Sequence, residues 1–389
     1  MGQLNRRTFL KMATLLGIGT SLPSLLTANA QESNFDGSVL IIGAGAAGMS
    51  AGYLLQQQGI EFQILEASSN YGGRMKRTTD FADFPIPLGA EWLHMSPSVL
   101  DDIVNDATVD IRTQLQAYSS DDIAGYFEDG ELYTYSLEDW NDLKFIDSTW
   151  FDFFEEYIVP SIEEKMQFNT QILSIDYGND GVVVTDQNDN TYEAEKIIMC
   201  VPLKILQDGD ISFNPPLPRN KARAIENANI WGGIKVFIEF TEAFYPVALE
   251  FPDSYTNDGQ RLYYDAAYGQ DTDAHILGLF SVGEQAETYQ ALEPETALRD
   301  YILAELDDIF DGRASASYVK HIVQNWNDEP FIRAAYLADV ASWRTPPVLS
   351  RSIDQTLFFA GTAFTNGEDW GSVHNAAQSA RRAVEELLS

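Results

Sequence analysis

Val39-Leu40-Ile41-Ile42-Gly43-Ala44-Gly45-Ala46-Ala47-Gly48 decides the fold class of this 389-residue chain. Four branched apolar residues in a row suit a strand buried on both faces of a parallel sheet. The glycines that follow are spaced G-x-G-x-x-G: Gly43 permits a tight turn, Gly45 lets the backbone approach a pyrophosphate, and Gly48 lets the next helix pack on the strand. Met49 to Gln58 carries that helix, its N-terminal N–H groups facing the phosphates, and Gly59 ends it. Phe62-Gln63-Ile64-Leu65 supplies a second strand with Glu66 at its carboxyl end, 18 residues beyond Gly48, where an acid accepts from a ribose hydroxyl. Strand, turn, helix, strand and acid in this order predict an α/β, Rossmann-type domain that binds a dinucleotide. The fingerprint alone does not separate FAD from NAD.

Composition narrows the setting. Arg6-Arg7-Thr8-Phe9-Leu10-Lys11 precedes an apolar run ending at Ala28-Asn29-Ala30, so residues 1–30 read as a twin-arginine export signal. Met12 to Leu26 is broken by Gly, Ser, Thr and Pro and falls short of the ~20 apolar residues of a membrane span, although an anchor is the alternative. The signal implies the twin-arginine export machinery as a partner, a cofactor loaded before export, a periplasmic or extracellular location and no stable membrane association after cleavage. Cys200 is the one cysteine, which excludes a disulfide scaffold, and no metal site is expected. A formal net charge of −35 repels nucleic acid and anionic membranes. That charge serves solubility or draws in cations; the stretch 96–168, with 18 acids and three bases, is where such a field concentrates.

Tyr71-Gly72-Gly73-Arg74 adds a second close backbone approach and a guanidinium suited to a phosphate. With Leu65-Glu66-Ala67 before it, this stretch resembles the flavin-containing amine oxidase family of monoamine and polyamine oxidases, and matches continue in order over most of residues 36–389. The resemblance implies FAD, held by Gly43, Gly45, Ala46, Ala47, Gly48, Glu66, Ala67, Gly73 and Arg74. Leu88-Gly89-Ala90-Glu91-Trp92-Leu93-His94 resembles the segment beside the flavin, so that Gly89, Ala90, Glu91 and Trp92 are implied as contacts and His94 as a site candidate, with a hydrogen-bonded structural histidine as the alternative. Ile172 is implied near the adenine. Leu357-Phe358-Phe359-Ala360-Gly361-Thr362 and Gly371-Ser372-Val373 resemble the last FAD motif, which implies Gly361, Thr362, Ser372 and Val373 at the ribityl chain and pyrimidine. Asn70 stands where the family usually has arginine, Asn375 where it has glycine, and Ser372 where monoamine oxidases carry a second cage tyrosine. Ala335 replaces their flavin-linked cysteine, which implies non-covalent FAD.

In Trp231-Gly232-Gly233-Ile234-Lys235-Val236-Phe237, strand alternation turns Lys235 away from Ile234 and Val236, toward solvent or inward. The resemblance implies that it holds a water against flavin N5. Asn325-Trp326 and Arg333-Ala334-Ala335-Tyr336 resemble the segment in front of the flavin, which implies Tyr336 as a wall of the substrate cage with Trp326 nearby. Lys235, Tyr336, Trp326 and His94 are thus the expected catalytic set. Cys200, in an apolar strand, is read as a core residue. The FAD-binding domain is expected from 36–95, 169–212 and 350–389, and an interleaved substrate domain of mixed sheet and helices from 96–168, mainly helical, and 213–349. The implied activity is FAD-dependent oxidation of a small-molecule amine, polyamine or monoamine, by hydride transfer to N5, imine hydrolysis and reduction of O2 to H2O2. Three alternatives stand beside it: an L-amino-acid oxidase, whose carboxylate clamp would come from Arg261, Arg333 or Arg344; a desaturase or isomerase of an apolar substrate; and a non-catalytic flavin-binding accessory protein.

Overall fold

The computed structural model describes residues 35–137, 140–179, 181–338, 345–365 and 371–389; the twin-arginine stretch and Arg344 lie outside them. Ser38–Ile42 is the middle strand of a five-stranded parallel sheet in the order Met166–Gln167, Glu61–Leu65, Ser38–Ile42, Lys196–Met199, Leu357–Phe359. Ile41 pairs with Ile64 on one side and Ile198 on the other, and all three are fully buried. They are buried because helices Ala46–Gln57 and Val373–Leu388 cover one face. A four-stranded sheet that includes Ile172–Asn179 and Gly181–Asp186 covers the other. An uninterrupted apolar run is what such two-sided cover selects.

A second, seven-stranded sheet runs Tyr318–Asn325, Gly233–Phe240, His275–Gly283, Gly259–Asp265, Ala248–Glu250, Ile123–Glu128, Glu131–Ser136. It is antiparallel except where Ala248–Glu250 joins Ile123–Glu128. Helices Glu284–Gln290 and Glu295–Ile309 pack on one face. Phe81, Phe84, Ile86 and Trp92 pack on the other. Gly233–Phe240 is therefore buried along nearly its whole length, and Lys235 points inward.

The acidic stretch differs from the expected helices. It contributes the hairpin Ile123–Glu128 and Glu131–Ser136, turned by Asp129 at φ 53° and Gly130 at φ 78°. Asp-Gly with both residues left-handed is the two-residue turn that matches strand twist, so this hairpin has a local signal in the sequence. Leu143–Ile146 pairs with Trp92–Leu93 and Gln114–Ala117 in a three-stranded sheet. The stretch also supplies helices Ser98–Val104 and Trp150–Tyr157, which pack with the helices on the parallel sheet. Thr149 starts the latter by accepting from the Phe151 and Asp152 N–H groups. Met166–Gln167 extends the parallel sheet from a segment expected in the other domain.

Candidate cofactor and active site

One continuous cleft of about 3450 Å³ is lined by Gly45, Glu66 and Arg74 from the parallel-sheet side and by Lys235, Phe280 and Tyr336 from the other. That exceeds the ~300–1,000 Å³ of a drug-sized site, leaving room for a dinucleotide and a substrate together. At one end Gly43 sits at φ +102°, and a Cβ on Gly48 would lie 1.8 Å from the Gly43 carbonyl oxygen. Both glycines are required by the chain's own packing. Gly45 is different: a Cβ there meets nothing within 4 Å, so its absence leaves clearance for a ligand. Gly45 also begins helix Ala46–Gln57 without a side-chain cap, which leaves the first-turn N–H groups available to an anion.

Glu66 is fixed at the end of its strand, Oε2 accepting from Ala44 N at 2.6 Å and Oε1 from Ser68 N at 2.8 Å. Gly72 is bridged to Gly45, which carries Arg74 to the same place. The Arg74 guanidinium donates to Thr362 Oγ1 at 3.0 Å and to the Ala335 carbonyl. Partly buried in the cleft wall, it has its pKa pushed down by burial to about 10, with no carboxylate among the described residues opposing the shift. Two of its five N–H groups are thereby used. A desolvated, unneutralised guanidinium beside an uncapped helix and a glycine with free clearance fits a pyrophosphate.

Ala46, Ala47, Ala67, Gly73, Ile172, Gly361, Thr362, Ser372 and Val373 all line the cleft. Asn70, also on its wall, accepts from Tyr71 N through Oδ1 at 2.9 Å and so organises the turn instead of presenting a cation. Cys200 directly follows strand Lys196–Met199 and packs against the core as expected, but only partly buried, with one side on the cleft wall. Burial pushes its thiol pKa up, so it is not a thiolate.

At the other end, Gly89, Ala90, Glu91 and Trp92 line the cleft, with Ala90 N donating to the Arg74 carbonyl at 3.0 Å. Gly89 packs so closely on Trp326 that a Cβ would come within 2.9 Å of the indole. Tyr336 stands 5.9 Å from the Trp231 ring, and both line the cleft as one aromatic wall. Burial pushes the Tyr336 hydroxyl pKa well up, which keeps it neutral. His94 is half-exposed on the cleft wall, its Nδ1 2.9 Å from Asp142 Oδ1.

Lys235 is buried and donates to the Pro87 and Gly89 carbonyls, each at 3.0 Å, and to Glu91 Oε2 at 2.7 Å. All three of its N–H groups thus have acceptors within the protein. Glu91 also accepts from Tyr264 OH at 2.7 Å and pairs with buried Lys144 at 3.1 Å. Lys144, Tyr264, Trp231 and Glu250 escaped assignment from sequence. Of these, Lys144 carried a signal, as one of three bases in a stretch of 18 acids. The arginines offered for a carboxylate are engaged, Arg261 with Asp253 and Glu305 and Arg333 with Asp208 and Asp210.

Comparison with known proteins agrees with this geometry. Human lysine-specific histone demethylase 2 is 24% identical over 414 residues, covering 84% of this chain and 50% of that protein, so the chain spans about half that relative's length. Polyamine oxidase 2 of Arabidopsis thaliana is 24% identical over 438 residues, covering 90% of this chain and 87% of that protein. A solved structure of wild-type putrescine oxidase bound to putrescine shares the fold, with a TM-score of 0.71 at 17% identity over 91% of this chain and 99% of that one. A model described as an NAD(P)-binding Rossmann-like domain matches residues 41–107. The model of flavin containing amine oxidoreductases matches residues 154–388, more than half of the sequence, and the chain belongs to that family.

Proposed function

We propose that this protein is an FAD-dependent oxidase of small amines, polyamine or monoamine. One observation carries the reading: the cofactor cradle and the Tyr336–Trp231 wall share a single cleft, which is also lined by Asp142, Glu128 and Glu250. FAD, when bound, takes a hydride at N5 from the carbon beside the amine nitrogen and passes the electrons to O2, giving H2O2. The carboxylates draw the cationic amine in. Tyr336, Trp231 and Trp326 then exclude water, which favours the neutral amine whose lone pair supports loss of hydride. The imine product hydrolyses in water. Lys235 contributes positive charge at the cleft wall. With Arg261 and Arg333 already paired to acids, the described residues favour an amine without a carboxylate over an L-amino acid. Anaerobic mixing of the FAD-loaded protein with polyamines, monoamines and L-amino acids tests the reading. Bleaching of the flavin by an amine, with peroxide on readmitting oxygen, is expected; no bleaching by any amine would overturn it.

Export by the twin-arginine route belongs to the same proposal and rests on Arg6-Arg7 and Ala28-Asn29-Ala30. Substituting lysine for both arginines should retain the protein in the cytoplasmic fraction. An unchanged distribution would refute it.

A further inference from the structure

Between Trp326 and Tyr336 the chain leaves the seven-stranded sheet and returns to the cofactor cradle, and a turn on the way is pinned at both ends to the parallel-sheet side. At one end Glu329 Oε1 meets Lys76 Nζ at 2.5 Å and accepts from Gln324 Nε2 at 2.9 Å. At the other, Arg333 donates through Nη1 to Asp208 Oδ2 at 3.0 Å and Asp210 Oδ1 at 3.2 Å, and through Nη2 to Asp210 Oδ2 at 2.5 Å. Asp208 also pairs with Lys204, so this group of two acids and two bases carries no net charge. Pro330, Phe331 and Ile332, between the two anchors, line the cleft.

Arg333 itself lies in the left-handed region at φ 57°. Ile332 N and Arg333 N both donate to the Glu329 carbonyl at 3.0 Å, so residues 329–333 form one helical turn closed by a left-handed residue. Glycine or asparagine usually closes such a turn, because a Cβ is penalised there. Local stability therefore does not select arginine at this position. Strained residues persist where their surroundings over-determine them, and they cluster at functional places. A lone exposed ion pair would contribute little, but a guanidinium forked across two acids, with side chains 32%, 26% and 21% exposed, is a network of fixed geometry. The bond to Asp210 raises the Arg333 pKa, burial opposes this and Asp208 adds to it, so the group stays charged.

What the turn fixes lies just beyond it. The Ala335 carbonyl accepts from the Arg74 guanidinium, Ala335 N donates to the Trp231 carbonyl at 2.8 Å, and Tyr336 follows as part of the aromatic wall. We propose that Arg333 is a positioning residue: with Asp208 and Asp210 it latches the turn 329–333 to the parallel-sheet side, sets Arg74 and Tyr336 at the cofactor cradle, and thereby governs how fast FAD leaves. The inference rests on FAD lying in the cleft and not on the choice of amine.

Flavin fluorescence on dilution of the FAD-loaded protein reads the release rate with no amine present. Arg333→Gly removes the guanidinium while giving the left-handed position the residue it prefers, so the FAD-free variant should unfold within about 0.5 M urea of wild type. Its FAD should leave about tenfold faster, as for the loss of two or three partly exposed charge-assisted bonds. Asp208→Asn with Asp210→Asn should give a similar rise, and adding Arg333→Gly to that pair should raise the rate by no more than about threefold further, because all three act on one contact. Salt separates a latch of charges from a packing role. Going from ~0.1 M to ~1 M NaCl shortens the screening length from ~10 to ~3 Å and should bring the variant-to-wild-type ratio below about threefold, while any effect of salt on FAD itself cancels in the ratio. A ratio within about twofold of unity at low salt would show that the turn does not hold the cofactor, and a tenfold ratio that salt leaves unchanged would show that Arg333 acts by packing; either overturns the proposal. If Arg333→Gly does not fold, the aspartate pair decides alone by the same ratio and the same salt dependence. A wild type that holds FAD but oxidises no amine would overturn the proposed function and leave this result standing.

Discussion

Replacing Arg74 by methionine should separate the stability of the FAD-free protein from its affinity for FAD. Burial has lowered the guanidinium pKa from 12.5 to about 10, with no opposing carboxylate among the described residues. A cation with a depressed pKa costs the native state its full penalty below the folded value, so the cost is present at neutral pH. That drop corresponds to at most ~3.4 kcal/mol, reduced in practice because the group is partly open to the cleft. Methionine in turn deprives the Ala335 carbonyl and the Thr362 hydroxyl of their donor, costing ~1–2 kcal/mol. Arg74→Met should thus leave the FAD-free protein as stable as wild type or ~1–2 kcal/mol more stable. Affinity moves the other way. Two charge-assisted bonds to a pyrophosphate, at ~1.5–3 kcal/mol each, predict a Kd for FAD raised at least ~10²-fold. Urea unfolding of the deflavinated proteins and quenching of flavin fluorescence measure the two quantities. A Kd within about threefold of wild type, or an FAD-free variant destabilised by more than ~2 kcal/mol, would refute the reasoning.

Two glycine substitutions should part in the same way: Gly45→Ala, whose Cβ meets nothing, should change stability by less than ~1 kcal/mol while FAD retention falls, whereas Gly48→Ala should cost ~1–3 kcal/mol or more, both read by unfolding and flavin content after purification. Lys221, buried with its Nζ 3.6 Å from the Phe359 ring centroid and 2.6 Å from the Leu349 carbonyl, has its pKa pushed down to about 7, first by burial and then by Arg382 and Arg351. The unfolded chain therefore binds the extra proton between about pH 7 and 10.5, and stability rises with pH across that window. Lys221→Met removes a penalty of up to ~4–5 kcal/mol at and below pH ~7 but loses a carbonyl partner worth ~1–3 kcal/mol. The variant should be the more stable protein near neutrality and the less stable one near pH ~10.5, and a wild-type-minus-variant difference independent of pH would contradict this. Tyr336→Phe should keep kcat/KM within about threefold because the hydroxyl is neutral, while Tyr336→Ala should lower it ~10-fold or more and move the pH profile of kcat upward as the bound amine regains water.

The parallel-sheet core and the cradle for the dinucleotide were legible because their determinants are local. Turn, helix start and acid lie within the 28 residues from Val39 to Glu66, and each glycine is demanded by a backbone contact made nearby or by the ligand. The orientation of Lys235 was not legible, since alternation separates the faces of a strand only when one face is wet, and Gly233–Phe240 is covered on both. Nor could sequence predict that its ammonium is saturated: Pro87 and Gly89 lie 148 and 146 residues away, and the Glu91 that completes the set is also shared with Tyr264, 173 residues away, and Lys144. By itself the sequence determined a dinucleotide fold, the family resemblance and the identities of the charged groups. Tertiary structure decided which charges share one dry site and which are already spent, because pairing between distant strands is set by sheet order and register, which no local pattern encodes.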